Sequence, residues 1–162
     1  STIEKVEGMR PYTPLELAGL ALTVVAGTTF AQMKVEDAIT FRQSGYKFMA
    51  WNMGRIKSNV DGQFNKDQVI QAANAIQAIA NSGMGQLFVP GSDSGKGWKE
   101  TRVKKELFTD KEGVGKVAKA FNEAANEMAK VAATGDAAAV KTQFGKLGET
   151  CKGCHDKYRT ED

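Results

Sequence analysis

The sequence predicts an all-α fold, an antiparallel four-helix bundle, on three observations. Apolar residues recur in alternating steps of four and three along four separate stretches, which puts each set on one stripe of a helix. Glycine, asparagine and aspartate stand where helices of those lengths would stop and start. No stretch of useful length alternates apolar and polar residues as a half-buried strand does. At 162 residues the chain can build one domain with a hydrophobic core. Amphipathic helices joined by mostly short loops then bury their stripes against one another.

The first element is not part of the bundle. Leu17 to Ala31 form an uncharged run whose length fits the apolar region of a secretory signal and falls short of a membrane span. Met9 and Arg10 precede it, and Thr29-Phe30-Ala31 before Gln32 roughly matches a cleavage site with small residues at the first and third positions back. Glu16 is unusual for such a segment, and the alternatives are an ordered extra element or an anchor. Residues 1–31 are therefore expected to be a signal-like or extra N-terminal segment, and residues 32–162 the four-helix domain.

Helix A carries Val35, Ile39, Arg42, Tyr46, Met49, Met53, Ile56 and Val60 on one stripe and is broken by Asp61-Gly62. Asn65 or Asp67 can cap helix B, whose stripe is Val69, Ala73, Ile76 and Ala80 and which ends near Gly83. Residues 83–110 hold five glycines and Pro90, so they predict a long loop with at most short ordered pieces. Helix C follows with Val117, Phe121, Ala124, Met128 and Val131, closed by Gly135 in the place of a left-handed cap. Asp136 caps helix D, whose stripe Val140, Phe144, Leu147, Cys151, Cys154 and Tyr158 turns both cysteines toward the core.

The 22 basic and 19 acidic side chains leave a formal charge of only +3, without the basic stripe that nucleic-acid binding requires. The informative cluster is smaller. The chain has two cysteines and one histidine, and all three fall within Cys151-Lys152-Gly153-Cys154-His155. Random scattering would produce C-x-x-C-H with a probability on the order of 10⁻⁴, and this spacing is the attachment signature of a c-type haem. Three residues of helix put both sulfurs on one side, where each can form a thioether to the same ring, and the adjacent His155 is placed to ligate the iron. A structural zinc site would need four ligands, and three Cys/His side chains are present. A thioredoxin-like pair belongs at a helix start rather than late in a helix, and a disulfide at this spacing inside a helix is poorly placed.

From about Met33 to Arg159, roughly four-fifths of the chain, the sequence resembles cytochrome c′. The likeness is carried by Val35-Glu36-Asp37-Ala38-Ile39-Thr40-Phe41-Arg42-Gln43-Ser44 continuing to Met53-Gly54-Arg55, and by Gly148-Glu149-Thr150-Cys151-Lys152-Gly153-Cys154-His155-Asp156-Lys157-Tyr158-Arg159. Between them Phe88-Val89-Pro90-Gly91-Ser92 looks like the family's loop after helix B. The resemblance implies one haem c buried in the bundle, its iron five-coordinate with His155 on one side. It puts Tyr46 over the sixth position, Arg42 near the propionates within the Arg42-Gln43-Ser44 block, and Arg159 beside the histidine. Separately, Val6-Glu7-Gly8-Met9-Arg10-Pro11-Tyr12-Thr13-Pro14-Leu15-Glu16-Leu17 resembles part of the mono-haem subunit of cbb3-type cytochrome oxidase, from which no functional residue carries over.

Two functions follow as expectations. The first is a periplasmic binder of nitric oxide, carbon monoxide or similar diatomics, without catalytic turnover. The second is an electron carrier with six-coordinate iron, in which Met49 or Met53 of the helix A stripe lies opposite His155. A peroxidase would need a polar distal group, and the single histidine is already used. The family resemblance also implies a homodimer through helices A and B, with Phe41, Phe48 and Trp51 as candidate contacts. No nucleic acid, and no membrane contact of the mature domain, is expected; the redox partner is not legible.

Overall fold

The computed structural model describes residues 31–161. The expected leader, and the stretch resembling the oxidase subunit, lie outside the described residues apart from Ala31. The described chain is all-helical: α1 (Val35–Asp61), α2 (Lys66–Ala80), the single turn α3 (Glu106–Thr109), α4 (Lys111–Thr134) and α5 (Ala137–Tyr158). Helices A, B, C and D of the sequence are α1, α2, α4 and α5. The long connection between α2 and α4 holds a 3-10 turn at Met84–Leu87, the short α3 and two isolated bridges, Lys96 with Glu100 and Val103 with Arg159.

Helix ends follow local chemistry. Asn65 Oδ1 accepts from the Gln68 amide at 3.0 Å, Asp110 Oδ1 from Gly113 at 2.9 Å and Asp136 Oδ1 from Ala139 at 3.0 Å, each satisfying a donor that the first helical turn leaves unpaired. Gly135 ends α4 at φ 71°, a left-handed conformation in which any Cβ is strained. Asn59 pins the α1–α2 turn from inside, because its Oδ1 accepts from the Asn65 amide at 2.7 Å.

In the bundle α4 packs on α5 and α2, and α1 packs on α2 and, less extensively, on α5. The dry core is built by Ile56 of α1, Val69, Ala73 and Ile76 of α2, Ala125, Met128 and Ala132 of α4, and Val140 and Leu147 of α5. Burying each of the larger side chains stabilises the fold by about 1.5–3 kcal/mol. The alanines between them let the helices approach closely. This core stops about halfway along the bundle. Beyond Met49, Ala80, Phe121 and Leu147 the helices enclose a cavity instead, so the cysteines of α5 face open space where the stripe pattern alone would place packing. Among the described residues no helix is long and apolar enough to cross a membrane.

Candidate functional site

The cavity has a volume of about 1370 Å³ and is walled by α1, the end of α2, α4, α5 and the loop over residues 83–108. Arg42, Gln43, Tyr46, Met49, Cys151, Cys154, His155 and Arg159, the site residues expected from sequence, all line it. Met53, the other thioether considered, does not line the cavity and packs against the core.

On α5 the two cysteines are one helical turn apart, half-buried and not joined to each other. Burial pushes both thiols above their ordinary pKa, so they are protonated at neutral pH. His155 is shifted the opposite way. Desolvation is the main cause, followed by the positive charges of Arg159 and Arg102, with Asp156 opposing, so the imidazole is held in the neutral form that can ligate a metal. The end of this helix is fastened down. Tyr158, 3% exposed, donates to Asp110 Oδ2 at 2.6 Å. The Lys104 amide donates to Tyr158 O at 2.9 Å and the Thr160 amide to Arg102 O at 2.8 Å.

On α1 Tyr46 turns into the cavity beside Phe88, with ring centroids 6.5 Å apart. Burial is the main cause that pushes its phenol up to about 12. Arg42, one turn earlier, is only 2% exposed and has neutral partners. Its Nη1 donates to Leu87 O at 3.2 Å and Ser92 Oγ at 2.6 Å, and its Nη2 to Ser92 O at 2.5 Å and Thr101 Oγ1 at 2.8 Å. The guanidinium also lies 4.8 Å from the Phe88 ring centroid. Four of its five N–H groups are thus committed to the loop. Gln43 is likewise a loop holder: its Nε2 donates to Lys99 O at 3.0 Å and its Oε1 accepts from the Lys99 amide at 3.3 Å.

Several lining residues escaped the sequence reading, among them Met84, Trp98, Lys99, Arg102, Val103 and Phe108. All belong to the loop, where no periodicity exists to reveal an inward face. The sole usable signal was the density of glycine.

A c-type haem fits this set. Two thiols one turn apart, a neutral histidine directly after the second and a large, mostly apolar chamber around all three suit a covalently held ring with a histidine beside its metal. Drug-sized ligands occupy pockets of about 300–1,000 Å³, and this one is larger, with room for a porphyrin.

Comparison with known proteins agrees. The family model for cytochrome c′ matches residues 37–159. A cytochrome c′ of Rhodocyclus tenuis is 62% identical over 130 residues, 80% of this chain and 98% of that protein. A solved cytochrome c′ described as having an unusual ligand-controlled dimer dissociation is 56% identical and superposes with a TM-score of 0.78, over 81% of this chain and all of that one. A ferrous variant of the cytochrome c′ of Alcaligenes xylosoxidans with bound nitric oxide is 27% identical with a TM-score of 0.69, over 78% of this chain and 98% of its own. A four-helix bundle with one covalent haem c, the chain belongs to the cytochrome c′ family.

Proposed function

We propose that this cytochrome c′ is a periplasmic gas binder with five-coordinate, high-spin iron that takes up diatomics such as nitric oxide and carbon monoxide and sequesters nitric oxide. Tyr46 is the observation that carries the reading. It projects from α1 into the cavity, whereas Cys151, Cys154 and His155 come from α5. Cys151 and Cys154 would hold the haem by thioethers and His155 would ligate its iron, and the group would supply a metal centre able to accept a further small ligand.

Tyr46 and Phe88 present ring carbon to that space. A phenol with its pKa pushed up to about 12 stays protonated at neutral pH and is a weak ligand, yet its bulk excludes water. The nitric oxide complex of the Alcaligenes protein supports the same chemistry here. The second reading, an electron carrier with a methionine ligand, draws on Met49, which also lines the cavity. That thioether is 5% exposed and packed into the core cluster, so reaching iron would remove it from its neighbours.

The protein is read further as a homodimer through α1 and α2. The outer face of α1 exposes Phe41, Phe48 and Trp51, with Phe48 and Trp51 stacked at 5.6 Å and Arg55 4.8 Å from the Trp51 ring centroid. Because Tyr46 shares that helix, a ligand that displaces it would disturb the same face, and the ligand-controlled dissociation described for the 56% identical relative supports this coupling. Export rests on the C-x-x-C-H motif and the leader-like residues 1–31.

Optical and electron paramagnetic resonance spectra of the holoprotein, ferric and ferrous, with and without nitric oxide, test the reading. High-spin ferric signals and nitric oxide uptake are expected. A low-spin ferric spectrum with a methionine-to-iron charge-transfer band that disappears in Met49→Leu would establish the second reading.

A further inference from the structure

His155 stands in the last turn of α5, since the helix ends at Tyr158 and the Arg159 amide makes the final helical bond, to His155 O at 3.1 Å. Last turns fray, because their carbonyls lack helical partners. A histidine that ligates a metal is normally oriented by a hydrogen bond at its other ring nitrogen, yet among the described residues no hydrogen bond from the protein reaches the His155 ring. Within this chain, orientation of the imidazole therefore comes through the backbone of its turn.

That backbone is held from two sides. On one, residues 102–104 run antiparallel to residues 158–160: Val103 bridges Arg159, the Lys104 amide donates to Tyr158 O at 2.9 Å, the Thr160 amide donates to Arg102 O at 2.8 Å, and Arg102 Nη2 donates back to Thr160 O at 2.7 Å. On the other, the Tyr158 hydroxyl donates to Asp110 Oδ2 at 2.6 Å, in the range of charge-assisted bonds, while Asp110 Oδ1 accepts from the Gly113 amide at 2.9 Å and caps α4. One carboxylate thus ties the end of α5 to the start of α4. Gly113 leaves the room for this tie, because a Cβ there would lie 2.3 Å from the Tyr158 hydroxyl and 2.2 Å from Asp110 Oδ2. The dry core grips α5 at Val140 and Leu147 and stops before the cysteines, so the half of the helix that carries His155 depends on these bonds for its placement.

We propose that Tyr158 is a positioning residue for the axial ligand: bonded to Asp110 in the space that Gly113 leaves, it fixes the tilt and reach of the His155 imidazole toward the haem iron. The inference deepens the five-coordinate reading and rests on it, since the histidine is then the one protein ligand through which the fold tunes the metal. Small displacements matter at such a site, because a ligand performs as intended only where the groups behind it lock its geometry.

Resonance Raman spectra of the ferrous holoprotein test this through the iron–histidine stretching band, and amide hydrogen exchange reads the end of α5 independently of the haem. In Tyr158→Phe, which deletes only the hydroxyl, the band is expected to move to lower frequency and broaden, and the amides of Lys104, Arg159 and Thr160 to exchange about tenfold faster. Gly113→Ala keeps both hydrogen-bonding side chains but forces them aside, and is expected to shift the band in the same direction. Asp136→Ala, which uncaps the far end of α5, is expected to lower stability with the band unmoved. Faster exchange in Tyr158→Phe with an unmoved band overturns the proposal, because the bond then supports the fold and nothing more. An equal shift in Asp136→Ala overturns it too, since any loosening of α5 would then suffice. A parent without the band overturns the five-coordinate reading together with this proposal, whereas a band present in the parent and unmoved by the variants overturns the proposal alone.

Discussion

Arg42→Met removes the only fully buried charged side chain among the described residues while keeping most of its volume. Four oxygens lose a donor. Leu87 O and Thr101 Oγ1 are partly exposed and can turn to water. Ser92 is 0% exposed, so its carbonyl and hydroxyl oxygens are left without a donor inside the fold. At about 1–3 kcal/mol for each buried group left unpaired, the loss is about 2–6 kcal/mol, reduced by no longer having to desolvate the guanidinium, whose pKa burial already lowers. An expected net of about 3 kcal/mol corresponds to roughly 10 °C in the unfolding midpoint for a domain of this size. The assay is thermal unfolding of the holoprotein with hydrogen exchange at the amides of Ser92, bonded to Val89 O at 3.0 Å, and Thr101, bonded to Gly95 O. Both amides should lose protection while the α4–α5 core keeps its own. A midpoint within about 3 °C of the parent, with Ser92 and Thr101 still protected, would refute Arg42 as the clamp of this loop.

Asp110 accepts from Tyr158 and from the Gly113 amide, and these bonds hold its carboxyl below its ordinary value of 3.8. A depressed folded-state pKa contributes stability that is present above about 3.8 and fades as pH falls through the lower folded value. Urea midpoints measured against pH should therefore decline below about pH 4 in the parent, and less steeply in Asp110→Asn, which starts lower at neutral pH. Gly97→Ala drives a methyl against the α1 backbone and should free the Lys99 amide for exchange, at about 1–3 kcal/mol of overpacking if the loop does not lift. Asp136→Ala deletes the cap on α5 and should lower stability by about 1 kcal/mol in a urea titration, leaving the haem spectrum unchanged.

Much of this molecule was legible residue by residue. The stripes of Val35 to Val60 and Val140 to Tyr158 repeat within one helix, so the sequence carries them without reference to any other segment, and the same holds for the caps Asn65, Gly135 and Asp136. Cys151, Cys154 and His155 could be singled out for a similar reason: the chemistry expected of them depends on separations of three residues and one. Helix D shows where that local information runs out. The stripe placed both cysteines on the core side, but whether that side meets packed atoms or a cavity depends on what the other three helices bring to the same level.

Tertiary structure alone decided the loop over residues 83–110 and what it does. Arg42 and Gln43 could be assigned to the site from α1, yet their partners lie 45 to 59 residues away, and no periodic signal in a glycine-rich stretch announces which carbonyls will meet a guanidinium. The placement of Trp98 and the fastening of residues 102–104 to the end of α5 have the same origin. Helical periodicity and covalent spacing are properties of a short run of chain and can be read in one dimension. Hydrogen bonds between distant segments exist only after the bundle has brought α1, the loop and the end of α5 together.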